Sequence, residues 1–404
     1  MAVIVQKYGG SSVADVEKLG RVADKIVAAK RAGHDVVVTV SAMGKSTDGL
    51  LSLAREAAGA LGSPPRREID MLVSTGERVS ISLLAIAIAA RGCEAISFTG
   101  SQSGIITNDR HFDARIIEVR PHRIEDELAR GRVVIVAGYQ GMSYKREITT
   151  LGRGGTDTTA VALAAALGAD RCEIYSDVDG VYSADPRVVP DARHLPEIDP
   201  GALQEMAERG AKVLNAQAVE WAKKARITIH ARSTFDAWER GAGPRETRVR
   251  ERAPGPGHAV RAIVAEQNLV VGRVASLSAF EELARVASDE EIPLKDASVR
   301  EDGGEFVVPL LNVPDWARAR RALSHVGGSS LELVEGLAAV GVVGDGLSTT
   351  GRPLVDFSTA LRDAGVRVRA LSAGALSLVA QIDPAGLADA QRALHARFVV
   401  ASGA

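Results

Sequence analysis

The chain has 404 residues, more than one compact hydrophobic core usually holds, so we expect two or three domains. Its net charge of −2 and aromatic content of 4% argue against a surface for nucleic acid or for an anionic membrane. The two cysteines, Cys93 and Cys172, stand in apolar or strand-like surroundings, which is typical of reduced thiols in a cytoplasmic protein. The start of the chain lacks the basic patch and long apolar core of a secretory signal.

Strand-like runs alternate with helical patterns along the first half of the chain. The apolar or β-branched runs are Val3–Gln6, Val36–Val40, Ala95–Phe98, Val133–Ala137 and Cys172–Tyr175. A helical pattern from Ser11 to Ala32 separates the first two runs, and helical windows lie between most of the others. Continuous apolar strands that alternate with helices predict an α/β fold with a mostly parallel sheet sandwiched by helices. In such sheets, ligands bind beyond the carboxyl ends of the strands.

The most apolar run is Ile81–Ala90, bounded by Arg78 and Arg91. It has about half the length that a bilayer span requires. We therefore interpret it as part of a buried helix, and we expect no membrane partner.

The first predicted strand ends in the run K-Y-G-G-S-S, from Lys7 to Ser12. Gly9 and Gly10 have no side chains, so the backbone there can approach an anion closely. A helix that begins at this point would add free N–H groups, and Lys7 would add a point charge. A strand-to-helix turn with a serine cap explains the same residues about equally well.

Two further motifs precede helical patterns. Ser41–Gly44 with Thr47 follows the second strand, and a turn capped by a hydroxyl is the simpler explanation of it. Glu77 lies in the run S-T-G-E-R before the apolar helix and could hold a substrate ammonium. An acidic residue in the first turn of a helix, where it complements the dipole, is the alternative for Glu77.

The stretch from Thr149 to Arg187 carries two clusters of glycines, hydroxyls and carboxylates, each with one arginine. In the first cluster, Arg153 stands among three glycines, where its fork could grip a carboxylate, and Asp157 follows at the start of a helix. The second cluster reads Y-S-D-V-D-G-V-Y-S-A-D-P-R and is typical of a nucleotide loop; it lacks the ligand positions of an EF-hand. Backbone donors, carboxylates and cations in this combination favour phosphoryl transfer.

The second half has a different character. Gly241–Gly257 is rich in Gly, Pro and Arg, which predicts a linker over about 246–259. Beyond it the pattern predicts two small α+β units. The second unit shows a strand at Val340–Val343, a helix at Pro353–Ala364, strands at Val366–Leu371 and Leu376–Ile382, and a helix at Leu387–Ala396.

Together these motifs resemble those of the aspartate kinases in the amino-acid kinase family. The motifs that match are K-Y-G-G-S-S-V-A-D, V-S-A-M-G-K-S-T-D, S-T-G-E-R-V-S, V-A-G-Y-Q-G, I-T-T-L-G-R-G-G-T-D-T-T-A, E-I-Y-S-D-V-D-G-V-Y-S-A-D-P-R and E-M-A-E-R-G-A-K-V-L. The resemblance covers the N-terminal region almost end to end and extends more loosely to the paired ACT (ferredoxin-like) regulatory modules of that family. It implies a catalytic domain over 1–245 and ACT-like modules over 260–335 and 336–404.

The resemblance implies phosphorylation of the side-chain carboxylate of L-aspartate by ATP, with Mg²⁺ carried by the nucleotide rather than by a protein site. This is a first step toward lysine, threonine and methionine. By the same resemblance, the catalytic residues are Lys7, Arg153 and Asp157, and the substrate residues are Ser41, Thr47, Glu77, Arg153 and Thr156. The nucleotide residues are Lys7, Gly9, Gly10, Ser11, Ser176, Asp177, Tyr182, Arg187 and Lys212. A cytoplasmic homodimer or larger homo-oligomer, paired through the ACT-like modules, is also implied.

The chain departs from the family pattern at several positions. The family commonly has Phe at Tyr8, Thr at Ser11 and Ser at Thr156. After Lys212 it usually continues Val-Leu-His-Pro-Arg, whereas this chain has Asn215-Ala216-Gln217 in place of the last three residues. The change leaves open a kinase of the same fold that acts on another carboxylate, and a non-catalytic amino-acid sensor is a third possibility.

The ACT-like region departs further. At the effector edge the family typically has Gly-Ile-Asn-Ile, where this chain has Gly365-Val366-Arg367-Val368. The expected Ser-Thr-Ser-Glu tract is replaced by Leu371–Ala375, and the first module lacks the usual Pro-Gly turn near Ser276–Ala279. We therefore expect feedback by lysine or threonine to be weak or absent.

Overall fold

The computed structural model describes residues 2–59, 63–152, 154–211, 214–235, 245–251, 259–313 and 315–400. These residues form two compact units. The first comprises Met1–Val181, His194–Ala207 and Lys212–Ala253, and the second comprises Tyr182–Arg193, Glu208–Ala211 and Pro254–Ala404. Two short segments of the predicted catalytic region therefore belong to the second unit. Most of the predicted linker, residues 252–258, lies outside the described residues.

The secondary structure of the first 250 residues alternates strands and helices. The strands are β1 (Val3–Tyr8), β2 (Asp35–Val40), β3 (Ala95–Phe98), β4 (Ile105–Thr107), β5 (Ile116–Val119), β6 (Val133–Ala137), β7 (Gln140–Ser143), β8 (Ile148–Thr150), β9 (Arg171–Ser176), β10 (Val181–Tyr182), β11 (His194–Leu195), β12 (Glu197–Ile198), β13 (Ile229–Ser233) and β14 (Glu246–Val249). The helices are α1 (Val16–Arg31), α2 (Ser46–Ala58), α3 (Arg66–Ala89), α4 (His122–Ala129), α5 (Gly155–Ala166), α6 (Pro200–Glu208) and α7 (Ala216–Ala225).

The large sheet of the first unit has eight strands in the order β12-β14-β13-β9-β1-β2-β6-β3. Its central strand, β1, is parallel to both β2 and β9, and the antiparallel pairing of β13 with β14 is an exception near one edge. The prediction of a mostly parallel α/β sheet is confirmed. The continuous runs of apolar and β-branched residues in β2 and β6 are buried along almost their whole length, as expected for parallel strands that are covered by helices on both faces of the sheet.

Helices cover both faces of the large sheet. α1 and α3 contribute Leu19, Ile26, Leu84 and other apolar side chains to one core cluster with the sheet, while α5 packs against β1 and β9. The carboxylate of Asp15 caps α1 by accepting a hydrogen bond from the Lys18 amide at 2.8 Å. The helical pattern predicted from Ser11 is thus divided into a 3₁₀ turn over Gly10–Val13 and the helix proper.

α3 is the helix, among the described residues, that is long and apolar enough to cross a membrane by length and composition. It begins at Arg66, well before the predicted run Ile81–Ala90, and two of its buried residues are the acids Asp70 and Glu77. Buried carboxylates are costly in a bilayer, whereas they can be hydrogen-bonded within a protein core. We interpret α3 as a core helix.

A smaller sheet in the order β5-β4-β7-β8 lies in the same unit. β8 ends at Thr150, and the chain then passes through the glycine-rich loop into α5. This loop places the first turn of α5 beyond the carboxyl ends of the large sheet, where Gly138 after β6 and Ser41 after β2 contact Thr156.

The second unit contains a six-stranded antiparallel sheet in the order β16-β17-β15-β18-β20-β19. Its strands are β15 (Ala259–Val274), β16 (Lys295–Arg300), β17 (Gly303–Pro309), β18 (Leu331–Asp345), β19 (Val368–Ala373) and β20 (Ser377–Ile382). Its helices are α8 (Leu277–Asp289), α9 (Trp316–Gly327), α10 (Arg352–Asp363) and α11 (Leu387–His395). The prediction of two α+β, ACT-like modules is confirmed.

The two modules share the long strands β15 and β18, and each has its own core. Phe306 and Leu323 lie in the first core, and Phe357 and Leu394 lie in the second. Ile263, near the beginning of β15, packs in the second core although it lies within the range predicted for the first module, 260–335. Ala184 and Val189 from the segment Tyr182–Arg193 also pack in the second core.

Candidate active site

The turn after β1 makes close backbone contacts with the turn after β2. The Gly44 amide donates to the Gly10 carbonyl at 3.1 Å, and a Cβ added to Gly10 would lie 2.8 Å from the Ala42 carbonyl oxygen. Gly9 lies beside the head of Lys7, since an added Cβ would stand 3.4 Å from its Nζ. A side chain at Gly9 would occupy the space next to the ammonium, which fits the predicted approach of an anion, whereas a side chain at Gly10 would collide with the turn after β2.

Lys7 forms an ion pair with Asp157. The Lys7 Nζ lies 2.7 Å from Asp157 Oδ1, and both side chains are mostly buried. Lys7 comes from β1, and Asp157 comes from the first turn of α5, which begins after the left-handed Gly154 at φ +75°. The contact is electrostatic rather than an aligned hydrogen bond, because Asp157 Oδ1 has no hydrogen-bond partner of good geometry among the described residues. The ammonium therefore keeps hydrogen-bonding capacity.

Ser41 and Thr156 join the ends of the neighbouring strands to α5. The Ser41 hydroxyl donates to Thr156 Oγ1 at 3.0 Å, and the Ser41 amide donates to the Tyr8 carbonyl at 3.1 Å. Gly138, after β6, makes room for the threonine, since a Cβ there would lie 2.4 Å from Thr156 Cγ2. The structure thus brings Lys7, Ser41, Thr156 and Asp157 together at one edge of the sheet.

Glu77 lies in the middle of α3, so the alternative of an acid in a first helical turn is wrong. Its Oε1 accepts a hydrogen bond from the Ala42 amide at 3.0 Å, while its buried Oε2 has no hydrogen-bond partner within the described part of the chain. Burial raises the pKa of Glu77 to about 7. An ammonium ion would satisfy the second oxygen and stabilise the ionised carboxylate. Thr47 is half-buried in the first turn of α2.

On the nucleotide side, Ser176 ends β9 and hydrogen-bonds through its hydroxyl to the backbone of Val178. Asp177 and Ser11 are exposed. A chain of hydroxyls supports this turn: Ser12 Oγ lies 2.6 Å from Thr234 Oγ1, which donates to the Ser176 carbonyl at 3.0 Å. Thr234 was not among the predicted site residues, because the strand that it follows, β13, was not among the predicted strands.

Four predicted residues are not placed at this edge by the described contacts. Arg153 and Lys212 lie outside the described residues. Tyr182 and Arg187 belong to the segment that packs in the second unit, where the Arg187 guanidinium donates to Asp185 at 2.8 Å.

Comparison with known proteins agrees with the geometry. The sequence profile described as "Amino acid kinase family" matches residues 2–233, more than half of the chain. The chain belongs to the amino acid kinase family. An aspartokinase of Mycolicibacterium smegmatis is 42% identical over 410 aligned positions, which cover 98% of this chain and 96% of that protein.

Solved structures of this kinase family extend the similarity to both units. Aspartokinase III of E. coli in complex with aspartate and ADP, in its R-state, has a TM-score of 0.85 at 25% identity, with 98% of this chain and 99% of that chain covered. The same enzyme in complex with lysine and aspartate, in its T-state, has a TM-score of 0.71 at 25% identity and the same coverage.

Asn215 is one of the three residues after Leu214 at which the sequence departs from the expected pattern. Its Oδ1 caps α7 by accepting a hydrogen bond from the Gln217 amide at 2.8 Å. The same oxygen accepts a second hydrogen bond from the Thr158 hydroxyl at 3.3 Å. A Cβ added to Gly154 would lie 2.6 Å from the Asn215 Nδ2. Asn215 therefore anchors the start of α7 beside the glycine loop. The preference of asparagine for the N-cap position was a sequence signal for this role.

Among the described residues, no group of three or more His, Cys, Asp and Glu side chains is arranged to hold a metal ion. Cys172 is fully buried, and burial raises its thiol pKa far above the usual value, so it contributes no nucleophile.

Proposed function

We propose that the protein is an aspartate kinase, which transfers the γ-phosphoryl group of ATP to the side-chain carboxylate of L-aspartate. The observation that carries this proposal is the Lys7–Asp157 pair, which joins the end of β1 to the first turn of α5, in a chain that matches an aspartokinase over nearly its full length. A carboxylate oxygen attacks the γ-phosphorus, the bond to the β,γ-bridging oxygen breaks, and ADP leaves. The products are 4-phospho-L-aspartate and ADP.

Charge neutralisation and positioning supply the catalysis. The acceptor carboxylate, with an ordinary pKa near ~4, is already ionised at neutral pH, so the reaction needs no general base. Lys7 stabilises the negative charge that spreads over the transferring phosphoryl group, and Asp157 holds its ammonium in place. Because the two side chains are mostly buried, their charges act through a medium of lower effective dielectric than water.

The substrate side of the site selects an amino acid. Glu77 binds the α-ammonium through its unsatisfied oxygen, and Arg153 binds the α-carboxylate. Ser41, Thr47 and Thr156 complete the polar wall, with the Ser41–Thr156 hydrogen bond fixing two of the three hydroxyls. An acceptor that lacks either the ammonium or the α-carboxylate leaves one of these charges without a partner.

The nucleotide side uses predicted residues of the first unit: Lys7, Gly9, Gly10, Ser11, Ser176, Asp177 and Lys212. Gly9 fits a polyphosphate, because the space that its missing side chain leaves lies beside the Lys7 ammonium, and Gly10 lets the turn after β1 pack closely on the turn after β2. Mg²⁺ enters with ATP and neutralises part of the phosphate charge.

The C-terminal modules form a homodimer or a larger homo-oligomer, and the enzyme is cytoplasmic. Feedback by lysine or threonine is weak or absent, as the altered Gly365–Val368 edge suggests. Sedimentation of the full chain tests the oligomeric state, since a monomer at micromolar concentration would contradict it.

Titration of the activity with lysine and with threonine tests the absence of strong feedback, and strong inhibition at millimolar levels or below would overturn it.

A coupled assay of ADP release over a panel of amino acids tests the function itself. Turnover with L-aspartate above all other acceptors supports the proposal. Preferential turnover of another carboxylate would reassign the substrate. Binding of an amino acid without any ADP release would identify a sensor instead.

A further inference from the structure

α3 carries a second buried carboxylate, Asp70, two helical turns before Glu77. It is 0% exposed. The two acids are seven residues apart, so they lie on the same face of the helix. Glu77 holds the turn after β2 through the Ala42 amide. Asp70 has no place in the mechanism above, and an unexplained buried charge calls for a physical account.

Asp70 connects α3 to two loops. Its Oδ1 accepts hydrogen bonds from the Thr150 hydroxyl at 2.5 Å and from the Phe112 amide at 3.1 Å. Its Oδ2 lies 2.7 Å from His111 Nδ1. Thr150 is the last residue of β8, directly before the glycine loop, whereas His111 and Phe112 belong to the loop between β4 and β5. Hydrogen bonds to a carboxylate are stronger than neutral ones, especially when they are buried.

The loop between β4 and β5 in turn supports the glycine loop. The Ala114 amide donates to the Thr150 carbonyl at 2.8 Å, and a Cβ added to Gly152 would lie 2.8 Å from Asp113 Oδ1. Gly152 itself is left-handed, with φ at +70°, a conformation that favours glycine.

Phe112 has a left-handed backbone, with φ at +73°, which is unfavourable for a bulky residue. Its amide donates to both oxygens of Asp70, at 3.1 and 3.2 Å, and these bonds offset the backbone strain. The conformation of this loop therefore depends on the Asp70 carboxylate.

We propose that Asp70 is a positioning residue for the aspartate side of the site: it fixes Thr150 and the 111–114 loop, against which Gly152 packs. In the sequence, Gly152 directly precedes Arg153, the residue proposed above to bind the substrate's α-carboxylate. This inference rests on the proposed function. A guanidinium that grips a carboxylate with two parallel bonds tolerates little displacement, so a loosened loop weakens aspartate binding. Among the described residues, no hydrogen bond joins Asp70 to the turn after β1, so we expect ATP binding to change little.

Asp70→Asn in the full-length protein tests the proposal, because asparagine keeps the size of the side chain and one carbonyl acceptor but loses the charge. We expect KM for aspartate to rise about tenfold to a hundredfold, with KM for ATP changed by no more than about twofold. Thr150→Val removes a single donor and should shift KM for aspartate in the same direction by a smaller factor.

The matched control is Glu127→Gln. Glu127 is also a buried carboxylate of the first unit, and it is paired with Arg130 and Arg132 at 2.7 and 2.8 Å. This variant should lose stability without changing the ratio of the two KM values, as a purely structural acid would. If Asp70→Asn behaves in the same way, or raises both KM values equally, the positioning role is refuted.

Two further outcomes are decisive. If Asp70→Asn does not fold, Thr150→Val carries the test, and an unchanged KM for aspartate in that variant refutes the proposal. If the wild-type chain does not turn over aspartate, the proposed function fails. The contact between Asp70 and the loop is then tested separately, by hydrogen exchange at the Phe112 amide. Thr150→Val and Asp70→Asn must then weaken protection there and Glu127→Gln must not; equal protection in all variants refutes the role of Asp70.

Discussion

The large sheet carries buried charges in two regions, and the regions differ in how completely their polar atoms are hydrogen-bonded. Within the sheet, the Glu173 cluster comprises Gln6, Arg171, Glu173, Tyr175, Arg232 and Glu246. Both oxygens of Glu173 have two donors: Gln6 and Tyr175 on one, and Arg171 and Arg232 on the other. At the carboxyl ends of the strands, by contrast, one oxygen of Glu77 and one of Asp157 lack an aligned hydrogen bond within the described residues.

This difference separates structural from functional charges. Burial alone would raise the pKa of Glu173, but the charge of Arg232 and the donated hydrogen bonds hold that pKa below its usual value. The same burial raises the pKa of Glu77 to about 7, because no cation compensates it. A satisfied cluster stabilises the fold, whereas an unsatisfied carboxylate in a site is stabilised by a ligand.

The largest expected effect is that of Lys7→Ala. We expect kcat to fall by about a thousandfold or more, since the ammonium stabilises charge that develops in the transition state. The melting temperature should also fall, because the variant leaves the mostly buried Asp157 carboxylate without its cation, but the protein should stay folded. Steady-state kinetics and thermal unfolding measure the two quantities. Lys30→Ala, which breaks the pair with Asp35 in the same unit at 3.0 Å, should leave kcat unchanged; an equal loss there would undermine the assignment of Lys7.

Glu173→Gln should have the opposite profile. Removing one member of a buried ion pair costs about 3–5 kcal/mol, and we expect about 3 kcal/mol because Arg232 keeps Glu246 at 2.6 Å. Denaturant unfolding measures this loss, and kcat of the folded protein should stay near the wild-type value. Glu118→Gln breaks an exposed pair with Arg120 and should leave the free energy of unfolding nearly unchanged. If Glu173→Gln lowered kcat without lowering the free energy of unfolding, Glu173 would be a functional rather than a structural charge.

Glu77→Gln should weaken function and strengthen the fold. Without the carboxylate, we expect KM for aspartate to rise about tenfold or more, whereas Glu68→Gln, an exposed change on the same helix, should not alter it. In the wild type, KM for aspartate should rise as the pH falls below about 7, where Glu77 becomes protonated. Kinetics across pH 6–8.5 measure both effects.

The stability effect of Glu77 has a definite sign. Its pKa is higher in the folded than in the unfolded state, so its contribution to stability is complete below the unfolded pKa and is lost as the pH rises through about 7. Glu77→Gln should therefore become more stable than the wild type at pH 8 by about 1–3 kcal/mol. A variant less stable than the wild type at that pH would show that Glu77 is structurally satisfied.

The smallest expected effect is that of Tyr8→Phe. The buried Tyr8 hydroxyl donates one long hydrogen bond to Gln6 Oε1 at 3.3 Å, so its loss should cost about 0.5–1.5 kcal/mol. Its ring stacks on Tyr175 with centroids 4.8 Å apart, and phenylalanine keeps this contact. Tyr175→Phe removes a bond to the charged Glu173 and should cost more. Denaturant unfolding of the pair tests the order.

The sequence by itself determined the parts of this protein that depend on local pattern. Continuous β-branched runs determined the parallel sheet, and glycines with hydroxyls at the strand ends located the site. Lys7, Ser41, Thr156 and Asp157 were all predicted, and they lie together because parallel strands end at one edge.

Only the tertiary structure decided which distant residues support that edge. The contact of Asp70 with Thr150, the hydroxyl chain from Ser12 through Thr234, and the packing of Ala184 in the core of the second unit join segments far apart in the chain. No periodicity or turn signal encodes such pairs, because each residue alone reads as an ordinary cap, strand end or loop. Their partners are selected by the packing of whole elements, which brings buried polar groups to the donors that satisfy them.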